Sequence, residues 1–235
     1  MHRLIITLAA LSCAAGPNVA LTQDRGGDLS VYLRLATDYR FRGVSKTNEK
    51  PAVQAGLDYE HETGLFVGAW ASNIEFPVYE LQEDRREVEL DLYLGLSRRL
   101  GRRWSALVSV VRYAYPGTSI VDDYTELAAG LAYDQRVFLN VARSEDWIGL
   151  GVSATDYALS WQQPLSHAWE LGATAGLLDT GYLPGGGYTY WNLGLTKGLG
   201  PFSVDVRFHD TSDDAVRAFG DLAGDRWVLS LGAAF

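Results

Sequence analysis

Apolar and polar residues alternate with a period of two along most of this chain. From Leu29 to Arg42 the odd positions read Leu29, Val31, Leu33, Leu35, Thr37, Tyr39 and Phe41. The even positions read Ser30, Tyr32, Arg34, Ala36, Asp38, Arg40 and Arg42. One face is apolar and the other charged, as in a strand whose two faces meet different surroundings. The pattern returns at Glu87–Ser97, with Val88, Leu90, Leu92, Leu94 and Leu96 opposite Glu87, Glu89, Asp91, Tyr93, Gly95 and Ser97. Weaker copies predict strands near Ala52–Glu60, Leu65–Ser72, Trp104–Tyr115, Tyr124–Tyr133, Val137–Ser144, Val152–Gln162, Trp169–Leu178, Thr189–Thr196, Phe202–His209 and Arg226–Phe235. In Leu65–Ser72 and Trp104–Tyr115 both faces are fairly apolar, so alternation alone does not orient them.

The connections alternate in length. His61–Gly64, Arg98–Arg103, Asp134–Arg136, Pro164–His167 and Lys197–Pro201 are short. Gly43–Lys50, Asn73–Arg86, Pro116–Asp123, Glu145–Gly151, Asp179–Tyr188 and Asp210–Asp225 are longer. That parity predicts an all-β, antiparallel up-and-down β-barrel of about twelve strands, with tight turns and both termini at one end and loops at the other. A Greek-key sandwich does not repeat so regularly.

Composition agrees with strands. The chain of 235 residues holds 25 Gly, 13 Tyr and 7 Trp, residues that weaken helices. Hydrophobic residues make up 47% and charged ones 21%, which excludes both a disordered chain and a helical multi-span protein. Net charge is −9 with no basic track, so nucleic acid is not an expected partner. Met1–Arg3 and the apolar Leu4–Ala15 read as a signal peptide over residues 1–20, too short to span a bilayer. A periplasmic extension over 21–28 and a barrel over 29–235 complete the expected organisation. The one Cys, Cys13, lies in that leader, and Ala10 three places before it disfavours a lipoprotein signal. An exported chain without disulfides needs another tie, and a closed backbone ladder is one.

Three features turn the apolar face outward, toward lipid. The polar face is rich in Gly and charge, whereas the apolar face is almost free of charge. Aromatic residues gather near strand ends, at Phe41, Tyr59, Trp104, Tyr133, Trp161, Trp169, Trp191, Phe202 and Trp227, as in the interfacial girdles of a membrane barrel. The chain ends on Trp227, Leu229, Leu231, Ala233 and Phe235, which looks like the terminal signal read by the bacterial barrel-assembly machinery.

Residues Thr37–Glu75 (TDYRFRGVSKTNEKPAVQAGLDYEHETGLFVGAWASNIE), with EVELDLYLG at Glu87–Gly95, YPG at Tyr115–Gly117 and YTELAAGLAY at Tyr124–Tyr133, resemble the TorF family of porin-like proteins. That family was long catalogued as a bacterial protein of unknown function (Gcw_chp). The resemblance covers most of the mature chain and is densest in its first half. It implies a proteobacterial outer-membrane barrel acting as a channel, and it carries no catalytic residue over.

With the apolar face outside, the other face lines a lumen. Its basic candidates are Arg34, Arg40, Arg42, Arg112, Arg207 and Arg226. Its acidic candidates are Asp38, Asp58, Glu60, Glu87, Glu89, Asp91, Glu126, Asp156, Glu170 and Asp205. Bases gather on the first and last strands and acids on the second, fourth and sixth, which sets a transverse field across a narrow passage. The expected function is an outer-membrane pore for small polar or charged solutes with a mild cation preference. It is expected to contact outer-membrane lipid and lipopolysaccharide and to use no cofactor or metal. The alternatives are a plugged barrel, in which lumen salt bridges only stiffen the wall, and a lipid hydrolase. The hydrolase has only His209 with Ser212 to offer, since His61 and His167 fall in turns and no catalytic motif appears. The acidic loop Asp210–Asp225 matches no calcium-loop spacing and reads as a solvated loop, and Glu80–Glu89 reads as an exposed charged run.

Overall fold

The computed structural model of the protein describes residues 27–75, 86–116 and 123–235. The expected leader and most of the 21–28 extension lie outside the described residues, as does most of the run Glu80–Glu89.

The chain forms β1 (Asp28–Ala36), β2 (Arg40–Phe41), β3 (Val44–Ser45), β4 (Ala52–Glu60), β5 (Leu65–Glu75), β6 (Arg86–Arg99) and β7 (Trp104–Ala114). It continues with β8 (Tyr124–Tyr133), β9 (Val137–Ser144), β10 (Ala154–Pro164), β11 (Trp169–Thr180), β12 (Gly187–Leu199), β13 (Phe202–Thr211), the helix α1 (Asp213–Phe219) and β14 (Arg226–Ala234). All but β2 and β3 join one closed antiparallel barrel of twelve strands, each hydrogen-bonded to its sequence neighbours, with β1 pairing β14 to close the ring. Closure gives each of these twelve strands a partner on both sides. Tyr32 stands opposite Ala234 at the seam, and the Phe235 backbone exchanges two 2.9 Å hydrogen bonds with Val31. Short turns and long connections alternate, so both ends of the described chain lie at the turn end of the barrel.

Every barrel strand has one apolar, exposed face. Leu29, Val31, Leu33 and Leu35 on β1 are exposed, as are Leu92, Leu94 and Leu96 on β6 and Trp227, Leu229 and Leu231 on β14. An apolar surface running round the whole molecule is far larger than a soluble monomer tolerates. Of the expected rim aromatics, Tyr59, Trp104, Trp161, Trp169, Trp191, Phe202 and Trp227 are exposed on this outward face. Trp104 packs on Tyr133 near the turns, and Trp191, Phe208 and Trp227 form a row near the loops.

The alternation over Leu29–Arg42 is not one strand. β1 stops at Ala36, and the chain turns into the barrel. Thr37 pins the bend, donating its N–H to Leu229 O and accepting from Leu229 N–H through Oγ1. Tyr39 and Phe41, expected on the outward face, are buried inside. Tyr39 packs edge-on against Trp70 and Phe41 against Tyr113. β2 and β3 form a hairpin in the lumen, with Phe41 opposite Val44 and Arg42–Gly43 at the tip. Both tip residues have positive φ, 50° and 82°, as a two-residue type I′ turn requires.

The loop-end half of the lumen is therefore a packed core, built from the hairpin and from inward Trp70, Ile74, Tyr113, Tyr124, Tyr188 and Tyr190. The last long connection is also ordered. α1 buries Ala215 completely and sets Phe219 against Tyr188, in place of the expected solvated loop. Inward glycines give room to large neighbours: a Cβ at Gly56 or Gly176 would fall inside the ring of Tyr32 or Tyr190, respectively.

Candidate functional site

Asp38 organises the hairpin. Its Oδ1 accepts from Ser45 Oγ at 2.6 Å and Thr47 Oγ1 at 3.0 Å, and its Oδ2 accepts from Arg40 Nε at 3.0 Å. Arg40 then reaches the last long connection, donating to Gly224 O at 2.6 Å and Leu222 O at 3.3 Å. Guanidinium donors on backbone carbonyls satisfy groups that burial would otherwise leave costly. Gly43 at the tip lies so close to Thr211 and Tyr190 that a Cβ there would come within 2.5 Å and 2.8 Å of them.

This scaffold holds Arg42 across the lumen. Its two terminal nitrogens donate to the two carboxylate oxygens of Glu126 on β8, both at 2.8 Å. Its Nε lies 3.4 Å from Asp156 on β10. Such a fork-to-carboxylate pair is among the strongest charge-assisted contacts. Burial pulls the guanidinium down, but Asp156 and Glu126 outweigh it and hold it well above its ordinary value. Wall tyrosines steady both acids: Tyr113 donates to Glu126 at 3.2 Å and Tyr190 to Asp156 at 2.9 Å. Lys46 sits farther back on the hairpin, 3.7 Å from Glu89 and donating to the Tyr115 hydroxyl at 3.1 Å.

Charge is unevenly spread round the ring, with inward acids on most sides and the inward bases on one. Glu87, Glu89 and Asp91 on β6, Glu126 on β8 and Asp156 on β10 point inward. Arg34 on β1, Arg207 and His209 on β13 and Arg226 on β14 point inward on the other side, where β14 stands opposite β8. Below the hairpin lies a cavity of about 100 Å³ lined by Arg34, Arg207, His209, Glu170, Asn140 and Asn192, among others. Arg207 lies over Gly194, donates to Asn192 Oδ1 at 2.8 Å, and pairs with Asp205 at 3.0 Å. Arg34 donates to Ser230 at 2.7 Å. Asp58, paired with Tyr93, and Glu60, accepting from Ser97 at 3.1 Å, face inward near the turn end. Arg226 sits at the loop-end mouth and pairs with Glu49 of the in-folded segment.

Two placements depart from the expectation. Asp38, Arg40 and Arg42 are inside the lumen but on the hairpin rather than the wall. Arg112 is not in the lumen at all. On β7 the inward positions are Ser105, Leu107, Ser109, Val111 and Tyr113, and Arg112 faces outward, bonded to Asp123 and Thr125 at 3.2 Å each. Toward the loop end the inward face of β7 is apolar, Val111 and Tyr113 joining the core around the hairpin, and the charge falls on the other side. Sequence reasoning missed Lys46, Glu49, Tyr113 and Tyr190. The one local cue was Arg42–Gly43 between Phe41 and Val44, since an X–Gly pair between apolar residues can close a hairpin. Ser212 Oγ, the expected partner of His209, accepts instead from the Thr189 N–H at 3.2 Å. Among the described residues no cluster of His, Cys, Asp and Glu is placed to hold a metal ion.

A family model described as "Bacterial protein of unknown function (Gcw_chp)" matches residues 21–235; the TorF name is not part of that description. No curated protein matches the chain by sequence. Among solved structures, a KdgM porin is similar with a TM-score of 0.54 at 6% identity, covering 88% of this chain and 99% of that one. A NanC porin is similar with a TM-score of 0.56 at 9% identity, again covering 88% and 99%. At such identities the likeness is one of fold: a porin-type barrel.

Proposed function

We propose that this chain, which belongs to the Gcw_chp family of bacterial proteins, is an outer-membrane channel for small polar or charged solutes rather than an enzyme. The observation that carries the reading is the hairpin tip. Inside a closed barrel with an apolar exterior, Arg42 is held within the lumen against the inward carboxylates of Glu126 and Asp156. Opposed charges lining one passage orient a dipolar solute and filter by charge. Carboxylates outnumber bases along the inward wall, which favours cations.

Export by the leader over 1–20, delivery to the barrel-assembly machinery through Trp227, Leu229, Leu231 and Phe235, and contact with lipid and lipopolysaccharide belong to the same proposal. Refolded protein in planar bilayers should conduct and should favour cations in a salt gradient. Equal or greater anion permeability overturns the charge argument. The packed outer half of the lumen also fits a plugged structural barrel, and that reading predicts no conductance and no solute uptake. A lipid hydrolase would release fatty acid from vesicles and lose that activity on His209→Ala.

A further inference from the structure

We propose that Arg42 and Lys46 are tethered occupants of a lumen site for small organic cations that carry N–H donors, guanidinium or primary ammonium groups. A solute of that kind would displace the hairpin and pass. The proposal rests on the channel reading and adds its solute class and its gate.

The cradle belongs to the wall and stands without the hairpin. Glu126 and Asp156 are aimed into the lumen from β8 and β10, and each is oriented from behind by a tyrosine of a neighbouring or nearby strand, Tyr113 on β7 and Tyr190 on β12. Glu126 presents its two oxygens at the spacing of a guanidinium fork, as Arg42 shows with two 2.8 Å contacts, and Asp156 adds a carboxylate 3.4 Å from the Arg42 Nε. On the wall side, the Lys46 ammonium lies 5.1 Å from the centre of the Tyr115 ring and 3.7 Å from Glu89, a second cation seat.

The wall also carries more carboxyl groups than the hairpin partners. Glu87 and Asp91 are buried, and neither Glu87 oxygen nor Asp91 Oδ1 has a hydrogen-bond partner among the described residues. Buried carboxylates without partners are costly, and a passing cation with N–H donors relieves them. The occupant is also replaceable. Arg42 holds a left-handed backbone, φ 50°, that glycine adopts freely and arginine does not. The hairpin joins no strand ladder of the wall, since β2 and β3 pair only with each other; just past it, Glu75 N–H on β5 donates to Lys46 O at 2.8 Å.

The test compares wild type with Arg42→Ala, refolded as the full barrel. Methylguanidinium should interrupt the current of Arg42→Ala at a concentration about tenfold below that needed for wild type, because the tethered competitor is gone, a shift of one decade in affinity. Tetramethylammonium, which has the charge but no N–H, should not. In detergent, methylguanidinium should raise the melting temperature of Arg42→Ala and leave Arg42→Ala/Glu126→Gln unmoved. If Arg42→Ala does not refold, Arg42→Lys, which keeps the charge and loses the fork, takes its place in both assays. Equal block by the two cations, or an equal response with and without Glu126, overturns the proposal. Channels that conduct but show neither block nor a melting shift remove the site and leave the channel reading standing. A melting shift without conductance in any variant supports the site and removes the channel.

Discussion

A single arginine on the outward face should destabilise the barrel by kilocalories if hydrocarbon surrounds it. Val108 on β7 is 57% exposed, between Leu96 on β6 and Ala129 on β8. It stands four residues from Trp104, an exposed aromatic at the turn end. At about 3.3 Å per residue and a tilt of about 40°, that is roughly 10 Å above the rim, close to the middle of an apolar belt about 25 Å tall. Arginine at that depth costs about 2–4 kcal/mol. In water, the same change at so exposed a position would fall within about 0.5 kcal/mol. Reversible guanidinium chloride unfolding from lipid vesicles measures the difference, provided the denaturant slope is unchanged. Arg112 is the internal control. Four residues farther along, it lies about 20 Å above the rim, where the cost falls to about 0–1 kcal/mol. Arg112→Val should therefore change stability little. A Val108→Arg barrel as stable as wild type, or a wild-type chain that stays monodisperse without detergent, refutes the lipid-facing orientation.

Glu126→Gln removes the charge that pins Arg42, and amide exchange over residues 39–47 should quicken about tenfold or more, for a loss of roughly 1–3 kcal/mol locally; the barrel's own melting should hardly move, and a parallel fall in both would mean the hairpin is part of the global fold. Gly176→Val places a branched side chain where the Tyr190 ring lies. It should lower stability by about 1–3 kcal/mol and change the near-ultraviolet circular dichroism of the tyrosines, while an unchanged spectrum would show that the ring has room to move. Deleting Phe235 removes its paired hydrogen bonds to Val31; stability in vitro should fall by only about 1–2 kcal/mol, whereas the yield of folded barrel in cells should drop much further, and equal losses would argue against a role in assembly.

The barrel was legible because its signal is local. A strand that meets two surroundings writes them into alternate residues, and a tight turn needs few residues whatever the rest of the chain does. Leu29–Leu35, Val88–Leu96 and Trp227–Leu231 could be read on that basis alone, and turn parity then set the direction of every strand. The hairpin was hidden by the same rule. Tyr39 and Phe41 continue the alternation of β1 without a break, and nothing within a few residues says that they leave the wall. What turns them inward is remote in sequence: the Leu229 backbone at the bend, Trp70 and Tyr113 as packing partners, and Glu126 and Asp156 as receivers for Arg42.

The misplacement of Arg112 has the same origin. An in-folded segment needs an apolar floor, so the wall beneath it must turn apolar residues inward as well as outward. Val111 and Tyr113 supply that floor, together with Trp70 and Ile74 on β5. Those are the two strands, β5 and β7, whose faces alternation left undecided. Loss of contrast between faces toward the loop ends of particular strands is therefore itself a message. It marks where a barrel has stopped being a tube and has become a core, and the residues of a long connection that are both aromatic and basic, as in Tyr39–Lys46, are what that core is built to receive.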